Sequence, residues 1–224
     1  MTLLSNASAL LGKELRTEFR SRELLPTTVV FIFIVIALFS ITFHPTTSES
    51  QRLGPGLLWV AFLFAASLML QPCFLREQNN DTLSALRLSV KDPFAIFFAK
   101  LAANTFFLLL TELLMLPFFA GFFNVHILSV FPQLVLVFFL GSLGIAIPGT
   151  AFSAISAQAR MRELMLPLLL LPLLTPVLIA STEATAALLE PNPALPLAGL
   201  GILIAFDIVF LTALWLFGEY LLEE

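Results

Sequence analysis

Six long apolar stretches are the feature that most limits how this chain can fold. A helix of about 20 apolar residues crosses the roughly 30 Å hydrocarbon core of a bilayer, and each stretch reaches about that length. Hydrophobic residues make up 59% of the sequence and charged residues only 12%, so a water-soluble domain could not cover itself with polar surface. We therefore predict an all-α polytopic membrane protein with six transmembrane helices. The predicted spans are residues 25–43, 54–74, 101–121, 128–156, 163–181 and 197–217.

Positive charges are concentrated in alternate connections between these spans. Ten of the 11 Lys and Arg residues precede the first span or lie between spans two and three or spans four and five, whereas Arg52 lies in one of the other connections. Cytoplasmic loops of membrane proteins carry an excess of Lys and Arg, so both termini and two loops are predicted to be cytoplasmic. The chain then forms a single transmembrane domain. Its parts are an N-terminal amphipathic helix (1–24), a six-helix bundle (25–217) and an acidic cytoplasmic tail (218–224).

The N-terminal segment has the pattern of an amphipathic helix. Leu11, Leu15 and Phe19 recur at four-residue steps, and the neighbouring cations fall on the opposite side of the same helix. Such a helix suits the membrane surface, with its apolar side in the acyl boundary and its cations towards anionic lipid. The alternative is a cytoplasmic extension that packs on the protein's own loops.

A second amphipathic segment lies in the longest cytoplasmic connection, residues 75–93. Asp81 is a predicted N-cap, and Leu83, Leu86 and Val90 share one face at helical spacing. A helix of about nine residues is not stable in water by itself, so another surface must bury that face. Two interpretations remain open: the helix fits a groove on a cytoplasmic partner, or it lies on lipid.

Prolines are concentrated in the fourth and fifth spans. Pro148-Gly149 interrupts the fourth span, and Pro167, Pro172 and Pro176 lie in the fifth. Each interior proline frees a carbonyl that a neighbouring helix, hydroxyl or water must satisfy. We therefore expect kinked helices that are buried against protein rather than facing lipid throughout, an arrangement typical of a moving or cavity-lining bundle.

Two carboxyl groups lie near the middle of predicted spans, with no cation at similar depth. Glu112 belongs to the third span and Asp207 to the sixth. An ionised carboxylate at that depth would cost about 2.5 to 3.5 kcal/mol or more. We expect both groups to be neutral at pH 7 and to donate hydrogen bonds to neighbouring helices. A proton path is the alternative.

Motifs for catalysis and nucleotide binding are absent from the sequence. Lys13 follows a glycine but precedes Glu14, so the chain lacks a phosphate-binding loop. It also lacks Gly-x-Ser-x-Gly and His-Glu-x-x-His, and its single cysteine, Cys73, excludes an internal disulfide. His44 and His126 fall in predicted outer connections, where each either ligates a metal or haem or simply lies near headgroups. We predict that the chain is not an enzyme and has no metal site or assigned cofactor site of its own.

Four short motifs, in their order and spacing, resemble a known family. They are Gly-Pro-Gly-Leu-Leu-Trp-Val at 54–60, Phe-Ala-Lys at 98–100, Pro-Gly at 148–149 and Leu-Pro-Leu-Leu-Thr-Pro at 171–176. This pattern, over nearly the whole chain, is similar to CcmB, the haem exporter protein B family of bacterial cytochrome c maturation. One departure is at 81–82, where the chain has Asp-Thr and the family usually has Asp-Gly.

The resemblance implies a membrane subunit of the ABC-2 type, with ATP bound by a separate ATPase chain, CcmA. It also implies two copies of this chain, the membrane subunits CcmC and CcmD, the haem chaperone CcmE, and a bacterial cytoplasmic (inner) membrane, with no nucleic acid partner. In such a complex ATP hydrolysis drives haem export or the release of haem-loaded chaperone at the outer face. ABC-2 subunits seat a helix like the one predicted over residues 81–90 in their ATPase.

Three functions from different classes remain after this comparison. The first is a transporter subunit of the haem-handling complex, and the second is an ABC-2 exporter of another substrate, such as a lipid or a glycan. The third is a membrane scaffold that transports nothing. The first two require a companion ATPase, whereas a scaffold works beside an ATPase that cannot hydrolyse ATP.

Overall fold

A computed structural model describes residues 3–21, 24–43, 46–79, 94–157 and 162–217, and these ranges contain helices and no β-strand. The α-helices are α1 (Leu3–Ser21), α2 (Leu24–Phe43), α3 (Thr47–Leu70), α4 (Pro72–Asn79), α5 (Phe94–Phe123), α6 (Phe131–Ala157), α7 (Arg162–Leu189) and α8 (Leu197–Phe217). A short 3-10 turn, Leu128–Val130, precedes α6. The prediction of an all-α fold is confirmed.

Six helical segments of the described chain are long and apolar enough to cross a membrane, which confirms the predicted number of spans. They are α2, α3 with the start of α4, α5, the 3-10 turn with α6, α7 and α8. The bounds of α2 and α8 agree with the sequence because each helix is one uninterrupted apolar run. α5 is longer than predicted and begins at Phe94, so Lys100 lies inside a helix and not in the loop before it.

α3 begins at Thr47, seven residues before the predicted start of the second span. The Thr46 hydroxyl accepts a hydrogen bond from the Glu49 amide, and the Glu49 carboxylate accepts one from the Thr46 amide. This capping box satisfies backbone donors that the first helical turn otherwise leaves free. The Thr-x-x-Glu spacing was present in the sequence, and it was the signal for the earlier start.

α7 ends at Leu189, eight residues beyond the predicted end of the fifth span at residue 181. The polar residues that lower the hydropathy there lie on different sides of one continuous helix. Ser181 and Thr185 are buried inside the bundle, while Glu183 is exposed. A window of apolar residues therefore underestimated the length of the helix.

α6 lies at the centre of the bundle and contacts α3, α4, α5, α7 and α8. Apolar side chains occur all around it, a pattern typical of a helix enclosed by protein. Phe138 of α6 meets two aromatic rings of α3 edge to face, with centroids 5.5 Å from Trp59 and 5.7 Å from Phe62. This three-ring cluster joins the first half of the chain to the second.

α1 packs along the N-terminal half of α5 and not only against lipid or solvent. Ala7 is buried, and the Phe19 ring lies edge-on to Phe107 with a centroid separation of 5.3 Å. Lys13 and Arg16 are exposed, as the amphipathic pattern predicts. The apolar side of α1 is therefore partly covered by a membrane-spanning helix of the same chain, whereas these two cations lie on its exposed side.

The expectation that Pro148-Gly149 interrupts the fourth span requires correction. α6 runs through Pro148 without interruption, and Pro148 and Gly149 are both buried. Pro172 and Pro176 are exposed in this chain, whereas other residues of α7 pack against α3, α6 and α8. α7 packs through its opposite side, so Pro172 and Pro176 lie on its outward side. Pro167 also lies within the continuous helix α7, and the size of any bend remains a prediction.

Candidate functional site

The predicted coupling segment lies between two described helices. Its candidate docking residues, Asp81, Leu83, Leu86 and Val90, fall at positions 80–93, outside the described residues. The flanking helices are described: α4 ends at Asn79 and α5 begins at Phe94. The contacts that hold α4 and α5 in the bundle therefore determine how the segment is connected to the other helices.

Lys100 fixes the base of α4 from inside the bundle. It lies on α5 with only 2% of its surface exposed. Its Nζ donates a hydrogen bond of 2.6 Å to the backbone oxygen of Cys73, two residues after the break between α3 and α4 at Gln71. The same ammonium lies 5.0 Å from the centroid of the Phe74 ring. A buried ammonium needs such partners because isolated burial of a charge is costly.

Two further contacts join neighbouring helices to the same point. Glu14 of α1 places Oε1 3.4 Å from the Lys100 Nζ, a loose ion pair at the bundle edge. Asn104, one turn after Lys100, donates through Nδ2 to the Cys73 Sγ at 3.2 Å and to the Thr150 Oγ1 of α6 at 2.9 Å. The base of α4 is thus tied to α1, α5 and α6. A displacement of α4 would be passed to all three helices.

The sequence had identified Lys100 only as a cation near the cytoplasmic face. The missed signal was the pair Lys100 and Asn104, two polar residues four positions apart in a mostly apolar helix. Such spacing places both side chains on one face, and polar residues within a membrane helix usually face other helices.

Glu112 lies inside the bundle, as its position in the sequence predicts. It is 3% exposed, and its Oε2 accepts a hydrogen bond of 2.6 Å from the Ser142 hydroxyl of α6. The contact links α5 to the central helix at the middle of the membrane. The contact reaches a neighbouring helix, but Glu112 accepts in it, whereas the sequence predicted that Glu112 donates. The sequence also did not reveal Ser142 as the partner.

Asp207 is also buried, at 6% exposure, but its surroundings differ from those of Glu112. Neither carboxyl oxygen makes a hydrogen bond among the residues that the structure describes. Oδ1 lies close against α6, where a Cβ added to Gly144 would approach within 3.0 Å of it. The expected hydrogen bond to a neighbouring helix is therefore absent from this part of the chain. A charged group without partners is disfavoured at this depth, so the geometry fits a neutral carboxyl.

A third polar contact joins α3 to α7. The Trp59 Nε1 donates to the Thr185 Oγ1 at 3.0 Å, and that hydroxyl donates to the backbone oxygen of Ser181 at 2.7 Å. Trp59 is fully buried, and its ring edge lies where any side chain at Gly141 would project. The motif at 54–60 thus contributes the ring that anchors α3 against α6 and α7.

Groups able to hold a metal or a haem iron are scattered in the described residues. Within those ranges no three His, Cys, Asp or Glu side chains come together. His126 is exposed in the connection between α5 and α6, and His44 lies outside the described residues. The sulfur of Cys73 accepts a hydrogen bond from Asn104.

The sequence model of one family, described as CcmB protein, matches residues 5–217. Heme exporter protein B of Pseudomonas aeruginosa is 34% identical over 186 residues, which is 83% of this chain and 83% of that protein. The protein of the same name from Paracoccus denitrificans is 30% identical over 194 residues, 84% of this chain and 87% of its own length. The one from Haemophilus influenzae is 28% identical over 178 residues, 80% of each chain.

The match to the family model extends from α1 to the end of α8 and includes every helix that holds the bundle core. It confirms the resemblance that the four short motifs indicated. With its six membrane-spanning segments, this chain belongs to the CcmB protein family.

Proposed function

We propose that this chain is the membrane subunit of an ATP-driven complex of cytochrome c maturation in the bacterial cytoplasmic membrane. Its relatives carry the name Heme exporter protein B, so the cargo of the complex is haem or haem-loaded chaperone, released at the outer face. The ATPase belongs to a separate CcmA-type chain, and CcmC-, CcmD- and CcmE-type proteins are the further partners. Both termini lie in the cytoplasm. The family match over residues 5–217 is the observation that carries this proposal.

The Lys100 contacts support a mechanism for coupling. The segment 80–93 docks in the ATPase, and ATP-driven movement of the ATPase displaces the segment. Because Lys100 ties α4 to the bundle through the Cys73 oxygen, the displacement reaches α5 and α1 as well as α4. The chain itself carries no phosphate-binding loop, so its part is to convert that displacement into movement of membrane helices.

The outward side of α7 supports an assembly with two copies of the chain. Pro172 and Pro176 are exposed there, and each removes a backbone hydrogen bond within the helix. Lipid cannot satisfy a freed carbonyl, whereas a second protein surface can. In a two-copy complex this side of α7 is covered by the other copy.

Docking is tested by placing a charge on the predicted docking face. Leu86→Glu buries an unpaired carboxylate if the face lies in a protein groove, at a cost of about 2 kcal/mol or more. Each 1.4 kcal/mol weakens binding about tenfold, so the ATPase should no longer co-purify with the membrane subunit. Cytochrome c maturation should fail in the same cells, while the variant still inserts in the membrane.

Ser84→Glu is the matched control, because Ser84 lies away from the face shared by Leu83, Leu86 and Val90. It should retain the ATPase and support maturation. If Leu86→Glu and Leu83→Glu both retain a full complement of ATPase, the segment lies on lipid and the proposed docking is wrong.

A further inference from the structure

An apolar groove runs between α2 and α3, with a cavity volume of about 590 Å³. One wall is a column of α2 side chains at one-turn spacing: Phe31, Val35, Phe39 and Phe43. Residues 53–64 of α3 contribute the other wall, where Gly56 leaves room because it has no side chain. The groove opens towards the lipid-facing side of the bundle, since Val60 in its wall is 49% exposed.

The length of the groove matches that of one acyl chain in a bilayer leaflet. From Phe31 to Phe43 the wall is about 18 Å long at 1.5 Å per residue, close to one leaflet of a hydrocarbon core of roughly 30 Å. The groove therefore gives one acyl chain of a single leaflet an apolar wall along its whole length.

Charged groups occur at one end of the groove, where α3 begins. Glu49 is the charged residue among those lining it, and Arg52 follows one turn later on the exposed surface. The Glu49 Oε2 accepts hydrogen bonds from the Thr46 amide at 2.9 Å and from the Thr46 hydroxyl at 2.7 Å. An exposed carboxylate is ionised at neutral pH, so the groove ends in a fixed negative charge with a positive charge beside it.

This pair of charges complements a headgroup that also carries both signs. A primary ammonium donates hydrogen bonds to a carboxylate, and a phosphate accepts them from a guanidinium. An anionic headgroup would satisfy Arg52 but would be repelled by Glu49. A trimethylated ammonium has no N–H to donate, so it would gain less from Glu49.

We propose that the groove between α2 and α3 binds one acyl chain of a phospholipid with a primary-amine, zwitterionic headgroup, held at the groove end by Glu49 and Arg52. The lipid belongs to the leaflet that surrounds the connection between α2 and α3. The bound lipid fills the space between α2, which is the least buried span, and the core of the bundle. It therefore holds α2 against α3.

The test uses the full-length chain reconstituted in vesicles of phosphatidylethanolamine and phosphatidylglycerol, with a trace of phosphatidylethanolamine that carries a photoreactive group in its acyl chain. After illumination, mass spectrometry locates the adducts. We expect them to concentrate on residues 31–43 and 53–64. Unlabelled phosphatidylethanolamine should compete for these adducts better than phosphatidylcholine, and phosphatidylglycerol should compete least.

Two kinds of variant separate the contribution of the acyl chain to binding from that of the headgroup. Val60→Trp fills the groove from its open side and should abolish the groove adducts, whereas Ile41→Trp, at a position on α2 that is 63% exposed and outside the groove wall, should leave them unchanged. Glu49→Gln keeps the capping box, because Gln also serves at that position. It should reduce the preference for phosphatidylethanolamine over phosphatidylcholine by about threefold, since exposed charge pairs contribute modestly.

Adducts spread over all exposed helices in proportion to exposure, with no headgroup preference, would overturn the proposal and leave only annular lipid. Groove adducts that vanish when the chain is assembled with its partner subunits would also overturn it, because a protein surface would then occupy the groove. Groove adducts in the assembled complex would support it.

Discussion

At the scale of single residues, the bundle interior contains two carboxyls with different partners. Glu112 meets the Ser142 hydroxyl, whereas Asp207 packs against Gly144 without a hydrogen bond among the described residues. Hydrogen bonds between membrane helices contribute about 0.6 kcal/mol on average and up to about 1.7 kcal/mol. The Glu112 contact therefore helps to align α5 with α6 and is not by itself a major source of stability.

Glu112→Gln should leave the assembled complex active, and so should Asp207→Asn. The amide introduced in place of Glu112 keeps an oxygen that accepts from Ser142, and neither change removes a charge if both carboxyls are neutral. Glu112→Leu, by contrast, removes the acceptor and should lower the free energy of unfolding by about 0.5 to 1.7 kcal/mol. Cytochrome c yield in cells measures the activity, and denaturant unfolding of the purified chain measures the stability.

Normal assembly with lost activity in Glu112→Gln or Asp207→Asn would contradict the structural role. In that case the carboxyl would carry a proton that the amide cannot.

At this scale the sequence predicted burial but not partners. A carboxyl in the middle of an apolar run has to be buried or neutral, so Glu112 and Asp207 were identifiable from hydropathy alone. Ser142 was not, because a serine in a membrane helix satisfies its hydroxyl on its own backbone equally well. The partner depends on the rotation of α6 against α5, which no local pattern in the chain specifies.

At the scale of helices, the closest approaches in the described chain involve glycines of α6. A Cβ at Gly141 would lie 2.2 Å from the Cη2 of Trp59, and one at Gly149 would lie 2.4 Å from the Cδ1 of Leu70. The side chains of Trp59 and Leu70 differ in how freely they can move. The Trp59 ring is held by its hydrogen bond to Thr185 and by two aromatic contacts, while the Leu70 methyl is the end of a flexible side chain.

Gly141→Ala should therefore destabilise the chain more than Gly149→Ala. Overpacking against a fixed ring typically costs about 1 to 3 kcal/mol, and rotation of the Leu70 side chain relieves part of the strain at Gly149. The free energy of unfolding in denaturant gives the comparison. Gly201→Ala is the control, because a Cβ there has no neighbour within 4 Å.

In the control, alanine should stabilise α8 by about 0.5 to 1 kcal/mol through its higher helix propensity. Equal effects at Gly141 and Gly201 would show that the Trp59 ring can move, and that the contact between α3 and α6 is looser than described.

At the scale of the whole molecule, the positive charges predict the orientation of the bundle. Cysteines introduced at Ser48, Asn124 and Asn192 should react with an impermeant thiol reagent from outside intact cells. A cysteine at Ser84 should react only after permeabilisation. Cys73→Ser provides the background, because a serine hydroxyl still accepts from Asn104.

Labelling of the Ser84 site in intact cells would reverse the orientation and move the coupling segment to the wrong side of the membrane for an ATPase. The test is direct, since Asn124 and Asn192 both lie in exposed connections between helices.

Fold class and the number of spans followed from the sequence because the bilayer sets the length of an apolar helix. The sequence predicted the positions of the helix ends less accurately. Thr46 and Glu49 extend α3 through a capping box, and buried Ser181 and Thr185 extend α7 beyond the apolar run. Hydropathy averages over such residues, whereas a helix end depends on where each polar group finds a partner. The arrangement around Lys100 depends on three helices meeting, and sequence periodicity describes one helix at a time.

α6 is enclosed by helices that come both before and after it in the chain. During synthesis, α3, α4 and α5 emerge first and can cover only part of its surface. The glycine side of α6 at Gly144 is covered by Val177 of α7 and by Asp207 of α8, which follow α6 in the chain. The bundle therefore cannot be completed before α8 has been synthesised, and a nascent chain stalled before α8 would present an unfinished helix surface to the quality-control proteases of the membrane.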